Sequence, residues 1–259
     1  MGIKITVKNT NYLVDLNVSV IGSIVTDYVA ATGLTSQSEI SAIESFITSL
    51  VVSGTYSKMD AMYLFVGDTY DKVKINIVNN ATYTLGTIPL SNINNGIDLT
   101  GMAGVSTGFI GGDAWLLNGH LALYNSTVET QGISIPLHDT IANDGFAGKS
   151  LSRNSGGNNS QVFGLKGTLR PLIAGNNEVG LFVGTALSGQ STIYSKSVEQ
   201  ATYTDTFTPP SVNELTIGTD TIYKSNMILQ VVSVGSNLTS GDVSVYNAAC
   251  ETLTATLGR

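Results

Sequence analysis

A single cysteine, Cys250, excludes any intrachain disulfide, so stability has to come from packing and, where present, from association. Charge is also scarce. Lys, Arg, Asp and Glu together make up 12% of the 259 residues, about half of the roughly 25% common in globular proteins. The surface must then be covered mainly by Ser, Thr, Asn and Gly, which suits a protease-exposed extracellular face or a subunit buried in an assembly. The charges that remain sum to −7, and no Lys/Arg cluster with interleaved aromatics occurs. Such a surface repels phosphate, and nucleic acid is not an expected partner. No run of 18 apolar residues exists, so membrane insertion is not expected either. The start, Met1-Gly2-Ile3-Lys4, has no charged segment leading into an unbroken apolar run and does not read as a secretory signal.

Catalytic and metal-binding patterns are equally sparse. Two histidines, His120 and His138, stand apart from each other and from cysteine, so a zinc site lacks ligands. His138-Asp139 with Asn143 and Asp144 offers loop oxygens suited to calcium, although a polar connection explains them as well. Gly104-Val105-Ser106-Thr107-Gly108 matches the spacing of a hydrolase nucleophile elbow, which requires a strand before the serine and a helix after it. The glycine-broken Phe109–Asp113 that follows is a poor helix start. Glu129, Glu178, Glu199 and Glu214 are scattered near turns and do not form the facing carboxylate pair that glycoside hydrolysis needs. The expectation is a chain without enzymatic activity, with no catalytic residues, no metal site and no cofactor. Trp115, the sole tryptophan, lies between Gly111-Gly112-Asp113 and Asn118, a grouping that suits a sugar face; a core position explains it too.

What is present is patterning. Ile3, Ile5 and Val7, then Tyr12, Val14, Leu16, Val18 and Val20, alternate with polar residues around Lys8-Asn9-Thr10-Asn11. That period of two predicts a hairpin over residues 1–22. The period changes over residues 35–53, where Ile40, Ile43, Phe46, Ile47, Leu50 and Val51 fall three and four apart. Ser36 and Glu39 supply a capping box and Gly54 a stop, so a helix is expected. Short helices are also expected at Val25–Ala31 and Ser57–Tyr63. From about residue 72 to 235, short apolar runs alternate with Gly, Asn and Ser clusters. They include Val73–Val78, Thr82–Leu85, Trp115–Leu117, His120–Tyr124, Gly132–Pro136, Gln161–Leu165, Val179–Val183, Ser191–Tyr194, Leu215–Ile217 and Met227–Val234. This reads as an antiparallel β-sandwich without crossover helices. Thr239 and Asp242 then open a second helix with the apolar stripe Val243, Tyr246, Cys250, Leu253 and Leu257, in which Cys250 packs as a small hydrophobe. The domain reading is an N-terminal arm, residues 1–22, ahead of one helix-prefaced sandwich, residues 23–259.

Several segments resemble those of a family of tailed-phage structural proteins. They are Val29–Thr35, the stretch Val52–Gly67 ending Tyr63-Leu64-Phe65-Val66-Gly67, Leu121–Tyr124, Gly180–Thr185 and the final Leu253–Arg259. Leu64 stands where that family has proline, and Asn76–Asn80 and Gly101–Phe109 replace two of its loops. The resemblance implies a mainly β, concanavalin A-like or jelly-roll antiparallel sandwich. It further implies a non-enzymatic virion subunit, a head or tail fibre, appendage or capsid-decoration protein released by lysis. Other virion proteins would be its partners, and a homo-oligomer, by analogy a trimer, its assembly. The alternative is a receptor-binding, lectin-like adhesin that recognises host surface glycans.

Overall fold

The computed structural model describes residues 10–93, 95–102, 104–110, 118–127, 133–139, 150–154, 160–164, 173–174, 179–188, 190–204, 214–218 and 226–259. Three layers make up the fold: helices, a first antiparallel sheet and a second antiparallel sheet.

The first sheet contains β1 (Met59–Leu64), β2 (Ile97–Asp98), β4 (Gly119–Asn125), β9 (Gly180–Leu187), β10 (Gln190–Ser195), β11 (Val198–Thr204) and β13 (Ile228–Ser236). Its order is β1-β13-β4-β9-β10-β11, with β2 also paired to β13. The second sheet contains β3 (Val105–Ile110), β5 (Ile133–Asp139), β6 (Ser150–Asn154), β7 (Ser160–Gly164), β8 (Ile173–Ala174) and β12 (Glu214–Ile217), in the order β3-β12-β5-β6-β7-β8. The expected antiparallel sandwich with helices near both ends is what the chain forms.

Strand β4 shows why the sequence looks as it does. Leu121 and Leu123 pack between the sheets with Tyr63, Phe182, Val232, Leu215 and Ile217. Ala122 and Tyr124, on the opposite face, pack under the helices with Met62, Leu64, Leu181 and Val231. Successive side chains point to opposite faces, and both faces are covered, so the whole strand is buried and no polar alternation survives.

The helical layer holds α1 (Thr10–Thr32), α2 (Gln37–Ser53) and α4 (Ser240–Thr256), with the single turn α3 (Tyr70–Val73) between the first sheet's strands β1 and β2. Helix α2 starts where Ser36 Oγ accepts from the Glu39 amide at 3.4 Å and stops at Gly54, which adopts φ 80° and returns its N–H to Val51 O. It buries Ile43, Phe46, Ile47 and Leu50. Helix α4 opens on a complete capping box between Thr239 and Asp242. Phe46 and Tyr246 meet across these two helices with ring centroids 6.2 Å apart. Cys250 is fully buried beside them, and burial pushes its thiol pKa well up, as expected of a packed rather than reactive cysteine.

Three local expectations need correction. Residues 10–22 are not half of a hairpin but the first part of α1; residues 1–9 lie outside the described set. The residues α1 buries, Ile21, Val25, Tyr28 and Thr32, recur at helical spacing, and Tyr28 Oη donates to Leu64 O at 3.2 Å. Packing on the helical layer outweighs the strand preference of the Val/Ile-rich stretch. Ser57–Tyr63 is a 3₁₀ turn at Tyr56–Lys58 followed by β1, because Met59–Leu64 pairs with β13. Val73–Val78 and Thr82–Leu85 form no strand; a single bridge links Asn76 to Tyr63. No helix among the described residues is long and apolar enough to cross a membrane.

Candidate functional site

The sites suggested by sequence fare unevenly. Trp115, Gly111, Gly112, Asp113, Asn143 and Asp144 lie outside the described residues. Asn118 is exposed and its Oδ1 accepts from Ser188 N at 3.1 Å, holding the turn after β9. His138 and Asp139 close β5 opposite Thr216 and Leu215. Ser106 sits within β3, opposite Thr216, and its Oγ accepts from Gly108 N at 3.2 Å. A mid-strand serine is not at a strand-to-helix turn, so the elbow reading fails. His120 is buried, with Nδ1 2.6 Å from Ser236 O and Nε2 3.1 Å from Ser233 Oγ, which explains it as a tie between β4 and β13. Among the described residues no group of three His, Cys, Asp or Glu side chains is placed to hold a metal.

A cleft of about 370 Å³ was not legible in the sequence. It is walled by Thr35, Ser36 and Glu39 at the start of α2, by Gly67, Asp68 and Lys72 around α3, by Ile93 and Asn95, and by Arg259. Two of the lining residues, Asn95 and Arg259, are tied together by Gln230, a buried side chain at a β13 irregularity between Leu229 and Val231. The Gln230 amide donates to Asn95 O and, at 2.9 Å, to Ser126 Oγ, while its Oε1 accepts from Arg259 Nη1 at 3.1 Å. Arg259 Nη1 also donates to Phe65 O at 2.8 Å. The Asn95-Gly96 turn fits against this side chain because both residues take left-handed angles, φ 51° and 134°. A Cβ on Gly96 would lie 2.5 Å from Leu229 O, so only glycine permits the approach.

The electrostatics of the cleft are balanced. Lys72 Nζ stands 2.7 Å from Asp68 Oδ1. That hydrogen bond and charge hold the Asp68 carboxyl below its usual range, and the same bond raises Lys72. Burial lowers the Arg259 pKa, with Glu39 acting in the opposite sense. The lining thus offers two carboxylates, one ammonium, one guanidinium, two hydroxyls and an amide. Such a set can donate to and accept from the same ligand, as vicinal hydroxyl groups require, since each hydroxyl does both.

No protein-family model matches this chain, and no curated protein matches it in sequence. Similar folds occur among solved structures. A Trypanosoma rangeli sialidase, solved as a covalent intermediate with 2,3-difluorosialic acid, aligns with a TM-score of 0.54 and 12% identity over 82% of this chain and 40% of its own. The botulinum neurotoxin serotype D binding domain aligns at 0.52 with 9% identity, covering 73% of this chain and 51% of its own. Domain 4 of an extracellular arabinanase from Geobacillus stearothermophilus, in complex with arabinotriose, aligns at 0.52 with 11% identity, covering 73% of this chain and 98% of that domain. The chain spans about 40% of the length of the sialidase it matches.

These findings correct several expectations. The tailed-phage resemblance is matched by no family model or curated sequence, and the shared fold is that of glycosidase structures and a toxin binding domain. The virion, fibre, tail and capsid-decoration roles fall with it, as do virion proteins as partners and the homotrimer. The expectation of a chain without enzymatic activity falls too, because sialidase structures, one solved as a covalent intermediate and one a mutant with trans-sialidase activity, recur among the matches.

Proposed function

We propose that this chain is a carbohydrate-recognition module that binds a neutral glycan in the cleft between the start of α2, the Gly67–Lys72 segment and Arg259. The observation that carries the reading is the alignment over nearly the whole of a single arabinanase domain that is itself in complex with arabinotriose. At this identity the likeness is one of fold. The cleft supplies the chemistry: charges of both signs in equal number and flanking hydroxyls, in a volume suited to a short saccharide. Isothermal titration with arabinotriose, and with a panel of neutral and acidic oligosaccharides, tests it. A neutral glycan should bind, and Arg259→Ala or Glu39→Gln should each weaken that binding tenfold or more while circular dichroism stays unchanged. Binding that neither substitution affects would move the site elsewhere; no binding across the panel would overturn the reading.

Hydrolysis is a second reading, favoured by Glu39 and Asp68 lining one cleft. Glycosidases use one carboxyl as acid and one as base or nucleophile, and Asp68 is the group held ionised. New reducing ends released from a bound oligosaccharide, and lost in Glu39→Gln, would establish it; a ligand recovered intact would leave recognition alone.

A further inference from the structure

Gln230 is an unusual residue for its strand. Leu229, Val231 and Val232 around it in β13 are buried and apolar, and Gln230 itself is only 2% exposed. A buried amide is costly unless its polar atoms are paired, whereas an apolar side chain of similar volume would serve the core without that demand. Here both ends of the amide are engaged. Nε2 donates to Asn95 O and to Ser126 Oγ, and Oε1 accepts from Arg259 Nη1. The partners fix which end is which, because a backbone carbonyl only accepts and a guanidinium only donates. They also come from three separate places: the turn before β2, the residue after β4, and a position beyond the end of α4. The side chain therefore joins elements that no strand pairing connects.

Two of those three partners, Asn95 and Arg259, line the cleft assigned above to a saccharide, and Gln230 does not. The backbone of Gln230 adds to the same tie. Phe65 N donates to Gln230 O at 2.9 Å, and Phe65 O accepts from Arg259 Nη1 at 2.8 Å. Nη1 is thus held between two oxygens that Gln230 sets, one directly and one through Phe65. Among the described residues Nη2 and Nε of Arg259 form no hydrogen bond, which leaves donors of a rigid, planar fork for a ligand. On the other side the Asn95-Gly96 turn lies against the amide, since a Cβ on Gly96 would come within 2.5 Å of Gln230 Nε2. We infer that Gln230 is a positioning residue of this cleft: it touches no saccharide, and it sets the separation between the Asn95 wall and the Arg259 guanidinium. The inference rests on the glycan reading of the cleft. Only an amide meets the requirement. A carboxylate would turn an oxygen toward Asn95 O, and a thioether or alkyl chain would leave Asn95 O and Arg259 Nη1 each one partner short.

The test is a double-mutant cycle read by titration into ¹⁵N-labelled protein. The probe is arabinotriose, or the neutral oligosaccharide of the panel above that the native chain binds best. Gln230→Met should weaken binding about tenfold in the native background, but less than about threefold when Arg259 is already Ala, because the lost interaction runs through that arginine. A loss of general rigidity would instead cost the same factor in both backgrounds. Gln230→Glu, which keeps an acceptor for Arg259 and removes the donor to Asn95 O, is the second variant should the first fail to fold. It should shift the Gly96 amide signal and weaken binding in the native background, with the circular dichroism of the native chain retained. Binding unchanged in a folded Gln230 variant, or an equal loss in both backgrounds, would overturn the positioning role and leave the glycan reading standing. No binding of any oligosaccharide by the native chain would overturn the glycan reading, and the positioning role with it.

Discussion

Asp242 concentrates more chemistry than any other described carboxylate. It accepts from Thr239 N at 2.8 Å, Thr239 Oγ1 at 2.6 Å and Thr55 Oγ1 at 3.2 Å, and it pairs with Lys58 Nζ at 2.5 Å. Burial opposes its ionisation, but these partners outweigh burial and hold the carboxyl below its ordinary value. Asp242→Ala removes a cap and a partly buried ion pair at once, and should cost about 2–3 kcal/mol, read as a fall in the urea midpoint at constant slope. The sign of the pH dependence follows. A depressed carboxylate contributes fully above its unfolded value, near 3.9, and loses that contribution as pH falls through the lower folded value. The Tm gap between the native chain and Asp242→Asn should therefore be constant from pH 6 to 5 and narrow below about pH 4. A gap that widens on acidification would show that Asp242 is not the group responsible.

Elements in this fold are held by a few unforgiving contacts. Phe46 is 1% exposed where α2 crosses α4, and Phe46→Ala should destabilise by about 3–5 kcal/mol in a denaturant titration. Gly235, in β13, pairs with Met59 at an irregularity of β1, and a Cβ there would lie 2.0 Å from Lys58 O. Gly235→Ala should cost more than about 2 kcal/mol because backbone has to move. The sequence disclosed these elements selectively. Both main helix starts were readable, since Ser36 with Glu39 and Thr239 with Asp242 are local signals that need no tertiary context. The strands β4, β9, β10, β12 and β13 were visible as short apolar runs. Helix α1 was read only in its C-terminal part, at Val25–Ala31; residues 10–22 were not, because their Val/Ile-rich stretch favours strand locally and is helical in the fold. The cleft beside Arg259 was illegible for a related reason. Glu39, Asn95 and Arg259 come together only through the end of β1 and the bulge at Gln230, neither of which leaves a motif.

For the molecule as a whole, the first sheet is the shared boundary of two apolar cores. Leu123 belongs to the one between the sheets, and Phe46 to the one beneath the helices. Since neither core can lose its common wall alone, thermal unfolding should be a single transition by far-ultraviolet dichroism and by tyrosine fluorescence. Leu123→Ala and Phe46→Ala should lower that same Tm rather than split it. Separate midpoints for the two probes would mean that the helical layer melts as its own unit.

The lone, fully buried thiol of Cys250 has a practical consequence. It is an internal clock. A colourless maleimide or a chromogenic disulfide can reach the sulfur only when α4 lifts from the sheet. The labelling rate at low reagent then reports the fraction of time the helix is lifted, and its plateau at high reagent reports the rate at which it lifts. With one thiol there is no ambiguity about which site reacts, and whole-protein mass spectrometry suffices to follow it. If a saccharide in the cleft beside Arg259 slows the clock, the grip on the ligand extends into the helix that ends just before that arginine.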